Sequence, residues 1–448
     1  MPTLTTSPLQ QAHIHLQQGR LQQAWHWLQR VEQRDGAFFD LLGQLEELRG
    51  RPQAALAAYR QGAALRQTPA TLHNNLGVLC RRLGYLDEAQ EHLALALRRR
   101  PEPRVISNYA LLHQARGELP LARAYLALAH EMAPDDDRIA WNLSQVQLAL
   151  GDLEKGWEGY EAGLRCGVRR PTPQHTPRWD GSPVTRLHIN AEQGLGDEIM
   201  FATCLEDAQQ ACDQLSWEAD RRLIPLLARA HPQVDFLPRA AFHVPADAHL
   251  PMGSLAPRLR RNRDDFPRRP TLRADPARVS QWRERLAGLG PGLKLGLSWA
   301  GGQGWERLKR RAPESFSLSL LRLPGIHWLD LQYDDEPLRP QLHAAGLRHF
   351  PDLDAKNDLE SLAALIAALD GVVTLSNTTA HLAGALGARV VLILPANPGW
   401  RWFGEHWSPW YLQVRLLRQG QDGWAGQAAR LARLLTREWD QTWLSVGS

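Results

Sequence analysis

Cysteine is scarce in this 448-residue chain, which has only Cys80, Cys166, Cys204 and Cys212. None forms a C-x-x-C pair, and no His-rich segment accompanies them, so free, partly buried thiols in a reducing compartment are expected. Long apolar runs are missing too. The longest, Val390-Val391-Leu392-Ile393-Leu394, is strand length, far short of the roughly 20 residues of a membrane span. Met1-Pro2-Thr3-Leu4-Thr5-Thr6 lacks the basic start and apolar core of a signal peptide. A soluble, cytoplasmic protein is expected. Charge of one sign does not dominate: the net charge is +4. Basic clusters at Arg98-Arg99-Arg100, from Arg258 to Arg269 and at Lys309-Arg310-Arg311 carry no nucleic-acid motif, so no nucleic-acid partner is expected. No Cys, His or carboxylate cluster has metal-ligand spacing, and no Ser-His-Asp nucleophile motif occurs. Neither a metal nor a resident cofactor is expected.

What the chain does have is enough apolar residues, 44%, to build two or three cored domains. Gly19, Gly50, Gly84, Gly117 and Gly151 recur at spacings of 31 to 34 residues. Five positions after each stands a small residue: Ala24, Ala55, Ala89, Ala122, Gly156. Nine after each stands a bulky one: Leu28, Tyr59, Leu93, Leu126, Tyr160. This pattern resembles the tetratricopeptide repeat, a helix–turn–helix unit of 34 residues. Glycine releases the turn, the small residue admits the second helix, and the bulky one plugs the seam. Such arrays expose a concave groove suited to a peptide or protein. Asn74, Asn75, Asn108 and Asn142, on first helices, are the candidate acceptor-binding residues, because asparagine can bond a peptide backbone without reading its sequence. The alternative is a solvated helix face. The last unit departs from the pattern at Ser144 and Gly156, as a terminal unit docked on another domain would.

Three prolines between Pro171 and Pro177 then stop helix formation and mark a linker. Beyond it, strand candidates at Leu187–Asn190, Gln214–Trp217, Leu293–Trp299, Ile326–Gln332, Val372–Leu375 and Arg389–Leu394 alternate with helices, which implies parallel sheets covered on both faces. The expected division is a repeat domain over 1–166, a linker over 167–186, a first lobe over 187–288 and a second over 289–448. An amphipathic closing stretch, Trp424–Leu435, is expected to pack back across the first lobe.

The apolar run Gly371-Val372-Val373-Thr374-Leu375 leads into Ser376-Asn377-Thr378-Thr379-Ala380-His381. Asn377 or Thr378 can cap the helix that follows, whose first N–H groups make an anion site, usually for phosphate. A second glycine-bearing turn, Gly194-Leu195-Gly196-Asp197, follows the first strand. Ligands of open parallel sheets bind outside the carboxyl ends of the strands, so two facing lobes would bring Asp197 and Asn377 to one cleft.

Several blocks occur in a fixed order: Glu192-Gln193-Gly194-Leu195-Gly196-Asp197, Gly296-Leu297-Ser298-Trp299-Ala300-Gly301-Gly302, Leu331-Gln332-Tyr333, Asn357-Asp358-Leu359, His381-Leu382-Ala383-Gly384, Trp400-Arg401-Trp402 and Ser408-Pro409-Trp410-Tyr411. On these, Trp179 through Gln419 resembles the family 9 glycosyltransferases. These are heptosyltransferase-like enzymes with two facing Rossmann-like lobes, called GT-B, and the chain is closer to the bacterial branch bearing tetratricopeptide repeats. The resemblance implies sugar transfer from a nucleotide-sugar, with a flagellin-like protein acceptor plausible. It places the base that takes the acceptor proton at Asp197, with Glu198 as alternate; capping the next helix is the structural alternative for Asp197. Gly194 and Gly196 fall on the acceptor side. On the donor side fall Gly301 and Gly302 for close backbone approach, Arg310 and Arg311 for the leaving diphosphate, Gln332 for the nucleoside, and Ser376, Asn377, Thr378, Thr379 and His381 for phosphate. The family usually has Asp-Thr where this chain has Ser376-Asn377, which leaves the donor open. His381 can also be read as packing, as can the aromatic run from Trp400 to Trp410. A lipopolysaccharide or small acceptor with tethering repeats, and a non-catalytic adaptor, remain alternatives.

Overall fold

The structure, a computed structural model, describes residues 7–240, 244–266, 269–302, 311–334 and 337–444. The opening Met1–Thr6 segment and, in the basic clusters named above, Arg268, Lys309 and Arg310 lie outside the described residues.

The N-terminal part is helical: α1 (Pro8–Gln17), α2 (Leu21–Leu28), α3 (Gly36–Leu48), α4 (Pro52–Ala63), α5 (Ala70–Leu83), α6 (Leu86–Arg99), α7 (Pro103–Ala115), α8 (Leu119–Met132), α9 (Asp137–Ala149), α10 (Leu153–Tyr160) and the short α11 (Ala162–Arg165). The five periodic glycines all adopt left-handed backbone, with φ of 72, 72, 90, 80 and 79° in chain order. That conformation carries no Cβ penalty in glycine and ends the first helix of each pair. Ala24, Ala55, Ala89 and Ala122 are fully buried, as are Leu28, Tyr59, Leu93, Leu126 and Tyr160 behind them. A Cβ on Gly77 would stand 2.5 Å from Leu93 Cγ, so the helices of that unit approach to backbone contact.

Two compact units divide the chain, Met1–Leu143 and Ser144–Ser448. The division falls inside α9 rather than at the expected residue 166. The reason is where α10 buries its aromatic face. Trp157 Nε1 donates to the Arg260 carbonyl at 2.8 Å, and Trp157 and Tyr160 stand edge-on to Trp400 at 5.7 and 5.4 Å.

The proline-rich stretch 167–186 is not the free linker its composition suggests. Its extended backbone pairs with the first sheet: His249 N donates to the Pro177 carbonyl at 2.9 Å and Trp179 N to that of His249 at 2.7 Å. Ahead of the prolines, Arg169 is wholly buried and donates to Glu192 Oε1 at 2.7 Å and Ser254 Oγ at 2.8 Å. The prolines exclude helix, and the sheet uses the extended chain that results.

The first sheet holds β1 (Val184–Asn190), β2 (Cys212–Ala219), β3 (Asp235–Pro238) and β4 (Ala248–Pro251), all parallel, in the order β3-β2-β1-β4. The second holds β5 (Leu293–Ser298), β6 (Ile326–Asp330), β7 (Gly371–Leu375), β8 (Val390–Leu394) and β9 (Val414–Arg418), also parallel, in the order β6-β5-β7-β8-β9. Strand order therefore reverses between β1 and β4 and between β5 and β7, the positions where open sheets bind ligands.

The closing helix, Gly423–Arg433, does not cross the first lobe. Leu431 joins the second-sheet core with Leu295, Leu297 and Val391, and Gln427 Nε2 donates to the carbonyls of Leu394 and Leu417 at 3.0 and 2.7 Å. An extra strand, β9, supplies the surface that takes its apolar face. The four cysteines are free. Among the described residues, no helix is long and apolar enough to cross a membrane, and no group of three or more His, Cys, Asp or Glu could hold a metal ion.

Candidate functional site

Both glycine-bearing turns open onto one cleft of about 480 Å³ within the α/β unit. Gly194, Gly196 and Asp197 line one wall, and Ser376, Asn377, Thr378, Thr379 and His381 the other. Each turn sits at the reversal point of its sheet. The walls close tightly where a Cβ on Gly196 would lie 3.0 Å from His381 Cδ2.

Asn377 is the N-cap of the helix Thr378–Ala385: its Oδ1 accepts from Ala380 N at 3.1 Å. Its Nδ2 donates to Ser298 Oγ at 2.8 Å and to the Ala300 carbonyl at 3.0 Å. The amide thus locks the β7 turn to the β5 turn, a role a carboxylate could not fill because it has no donor. A Cβ on Gly301 would meet Asn377 Cβ at 2.8 Å, so the two backbones touch; Gly302 reaches the cleft with φ +76°. Thr379 is 1% exposed, and its hydroxyl has no hydrogen-bond partner among the described residues. His381 is buried, its ring stacked on Trp402 at 4.6 Å and its Nδ1 2.9 Å from Tyr411 Oη. Packing and cleft-lining are therefore both true of His381.

On the opposite wall, Asp197 Oδ1 accepts from Arg401 Nε at 2.5 Å, and Oδ2 reaches back to accept a long 3.4 Å bond from the amide of Gly194, the N-cap residue of α12 (Leu195–Phe201). Cap and cleft-facing carboxylate coincide in one residue. Burial works to raise its carboxyl, but Arg401, with His381 and the Gly194 amide adding to the pull, holds it below the ordinary carboxylate value. The turn is held from behind. Glu192, fully buried, accepts from Arg169 and from Gly253 N at 2.8 Å, joining the β1 and β4 loops. Gln193 takes left-handed backbone at φ 63° and its Nε2 donates to Tyr160 Oη at 3.2 Å. A non-glycine residue in that region stores strain that the surroundings must hold.

Other expected residues fall elsewhere. Glu198 lies outside the cleft lining; its carboxylate is turned into the first lobe, with Arg239 Nε at 2.5 Å and Asp220 N donating to it at 2.8 Å. Burial pushes it up to about 7 against the pull of Arg239. Gln332 Oε1 accepts from Ser298 Oγ, Trp299 N and Ala300 N at 3.0, 3.0 and 2.9 Å, so it holds the β5 turn instead of facing the cleft with a free amide. Arg311 bridges to Ala300 and is not among the cleft-lining residues; Arg310 lies outside the described residues.

In the first unit, a groove of about 730 Å³ is lined by Asn74 and Asn75 together with Asp40, Thr71, Leu41 and Val105. Asp40, Asn74, Asn108 and Asn142 recur every 34 residues. They and their neighbours bond along the array: Asn75 Nδ2 to Asp40 Oδ1 at 2.8 Å, Asn108 Nδ2 to Asn74 Oδ1 at 2.9 Å, and Asn142 Nδ2 to Ser107 Oγ at 3.2 Å. Asn108 and Asn142 continue the row but do not line this groove.

The tetratricopeptide repeat family profile matches residues 70–103. Over 416 residues the chain is 33% identical to Protein FlbA of Caulobacter vibrioides, an alignment covering 86% of this chain and 68% of FlbA. The chain belongs to the FlbA family. Solved structures similar to this FlbA-family chain include pilF of Pseudomonas aeruginosa, at 16% identity over 46% of this chain and 83% of that one, with a TM-score of 0.34. Another is YrrB, described as a TPR protein with an unusual peptide-binding site, at 14% identity over 34% and 81%, with a TM-score of 0.29.

The cleft of this FlbA-family protein also contains residues that sequence reasoning passed over: Arg222, Arg239, Lys356 and Arg401, each ion-paired to a carboxylate. For Arg401 a signal existed, its place in the Trp400-Arg401-Trp402 block. The aromatic residues around it are packing, as Trp400, Trp402 and Trp410 are buried.

Proposed function

We propose that this protein is a glycosyltransferase of the two-lobed GT-B, family 9-like kind, transferring a sugar from a nucleotide-sugar to a hydroxyl of a protein acceptor engaged by the repeats. One observation carries the reading. A capped helix N-terminus with the buried, unpartnered Thr379 hydroxyl faces the Asp197 carboxylate across a single cleft, and each stands at a strand-order reversal. In the proposed step the acceptor oxygen bonds to the anomeric carbon and the bond from that carbon to the donor phosphate breaks. The nucleoside diphosphate leaves with the electron pair, and the acceptor proton passes to Asp197. Helix N–H groups and cleft guanidinium groups meet the charge on the leaving group, a task for which many transferases use a metal. The repeat groove, with its bonded asparagine row, supports a polypeptide acceptor bound through its backbone; a Ser or Thr hydroxyl of a flagellin-like protein is the acceptor we favour.

The test is nucleotide binding followed by transfer. At about 100 times Kd a nucleoside diphosphate stabilises its binding protein by roughly 2.7 kcal/mol. Thermal melts with UDP, GDP and ADP should show that gain for one of them, and mass spectrometry of a co-expressed acceptor should show the added sugar. Melts unmoved by every nucleotide at millimolar concentration would sink the donor site.

A further inference from the structure

Among the described residues, the four Arg and Lys side chains that line the cleft are not equivalent. Arg222, Arg239 and Lys356 pair with Asp220, Glu198 and Asp334, none of which takes part in the proposed step. Arg401 alone is bound to Asp197, the one carboxylate that the proposed reaction needs free. A carboxylate held at 2.5 Å by a guanidinium is a poor proton acceptor, because taking the proton would forfeit a charge-assisted bond.

Arg401 also belongs to the donor wall. Its segment is tied to the donor turn by Trp402 Nε1, which donates to Ser376 Oγ at 2.6 Å, and is held from the other side by Arg418 Nη2, which donates to the Trp402 carbonyl at 2.6 Å. The Arg401 guanidinium lies over the Trp400 ring at 4.9 Å, and its side chain remains 28% exposed. The segment is therefore fixed, while its guanidinium stays open to the cleft beside a helix N-terminus that attracts anions. A planar guanidinium binds phosphate as readily as carboxylate, in the same forked geometry.

We propose that Arg401 exchanges partners: it holds Asp197 until the diphosphate of a nucleotide donor competes for the guanidinium, so that donor binding itself releases the base. This rests on the donor-site reading above. It adds an order to the reaction, donor before acceptor activation, and assigns Arg401 two successive anions.

The exchange makes a prediction of sign. Binding a diphosphate must break the Arg401–Asp197 pair, so removing the carboxylate should tighten nucleotide binding. The experiment is titration calorimetry of the full chain with UDP, GDP and ADP, on wild type, Asp197→Asn, Arg401→Met and the double variant, each first shown to melt cooperatively. For the nucleotide that binds, Asp197→Asn should tighten and Arg401→Met should weaken affinity by about tenfold each, the scale of one charge-assisted bond. In the Arg401→Met background, Asp197→Asn should have no further effect. Arg401→Lys, which keeps charge but not the fork, serves if the methionine variant does not fold and should also bind more weakly than wild type. Tightening by Asp197→Asn that persists without Arg401 would mean simple repulsion between carboxylate and diphosphate, and would overturn the exchange. Unchanged or weaker binding by Asp197→Asn would overturn it as well. If wild type binds none of the three nucleotides, the donor site fails and the exchange with it.

Discussion

Asn108 donates its side-chain amide to Asn74 Oδ1 at 2.9 Å, joining residues 34 positions apart on successive first helices. The bond closes one rung of a row that begins at the buried Asp40, which accepts from Thr71 and Asn75.

That row gives a test of the acceptor groove. Replacing Asn74 and Asn108 together by alanine removes both partners of one bond and a long 3.3 Å donation from Asn74 to Asn75 Oδ1, and should cost about 1 kcal/mol. Replacing Asn75 leaves Asp40 with one donor fewer and should cost about 1–3 kcal/mol. The fourfold alanine variant at Asn74, Asn75, Asn108 and Asn142 should abolish glycosylation of the protein acceptor while nucleotide affinity stays at the wild-type value. Acceptor modification at the normal rate would move the repeats to a tethering role.

Asp197→Asn should lower the transfer rate by about 10² to 10⁴, the usual contribution of a general base. The fold should persist, since asparagine can still accept the Gly194 amide. Wild-type turnover in this variant would reduce Asp197 to a helix cap.

Glu198 sets a pH dependence of stability. Its folded value, about 7, lies above the ordinary glutamate value of 4.5, so the folded state binds the proton more tightly than the unfolded state. The stabilisation is complete below about 4.5 and is lost as pH rises towards about 7. Chemical denaturation of wild type and Glu198→Gln across this range should show their difference falling and then levelling above 7. A flat difference would place Glu198 among ordinary carboxylates.

Arg169→Met should destabilise the protein by about 3–5 kcal/mol, because it leaves Glu192 buried without its cation. Equilibrium unfolding in urea measures this directly. A loss below about 1 kcal/mol would mean that water or a neighbouring side chain replaces the guanidinium.

The repeats were legible because their signal is periodic: one glycine, one small and one large residue recur, and each meets the same steric demand in every unit. The two switch turns were legible because strand, glycine or Asn-Thr turn, and helix are adjacent in sequence. The rest depends on residues far apart. Arg401 stands 204 positions from Asp197, and no local pattern links them. Gln332 looked like a ligand reader because it ends a strand; only the neighbouring β5 turn, with three donors for its oxygen, shows that it is structural. β3 and β4 are four residues each, too short to carry a clear alternation. The proline-rich stretch misled because exclusion of helix looks the same in a free linker and in a chain bound along a sheet.

That bound stretch decides where the molecule can be divided. A fragment beginning at Leu187 would keep Glu192 and Trp400 but lose Arg169, Trp157 and Tyr160, stranding a buried carboxylate and baring an indole directly behind the Asp197 turn. The α/β half and the helix carrying Trp157 and Tyr160 are thus one inheritable piece. The boundary between the two compact units accordingly falls at Leu143, inside a helix, and not in the prolines that look made for it.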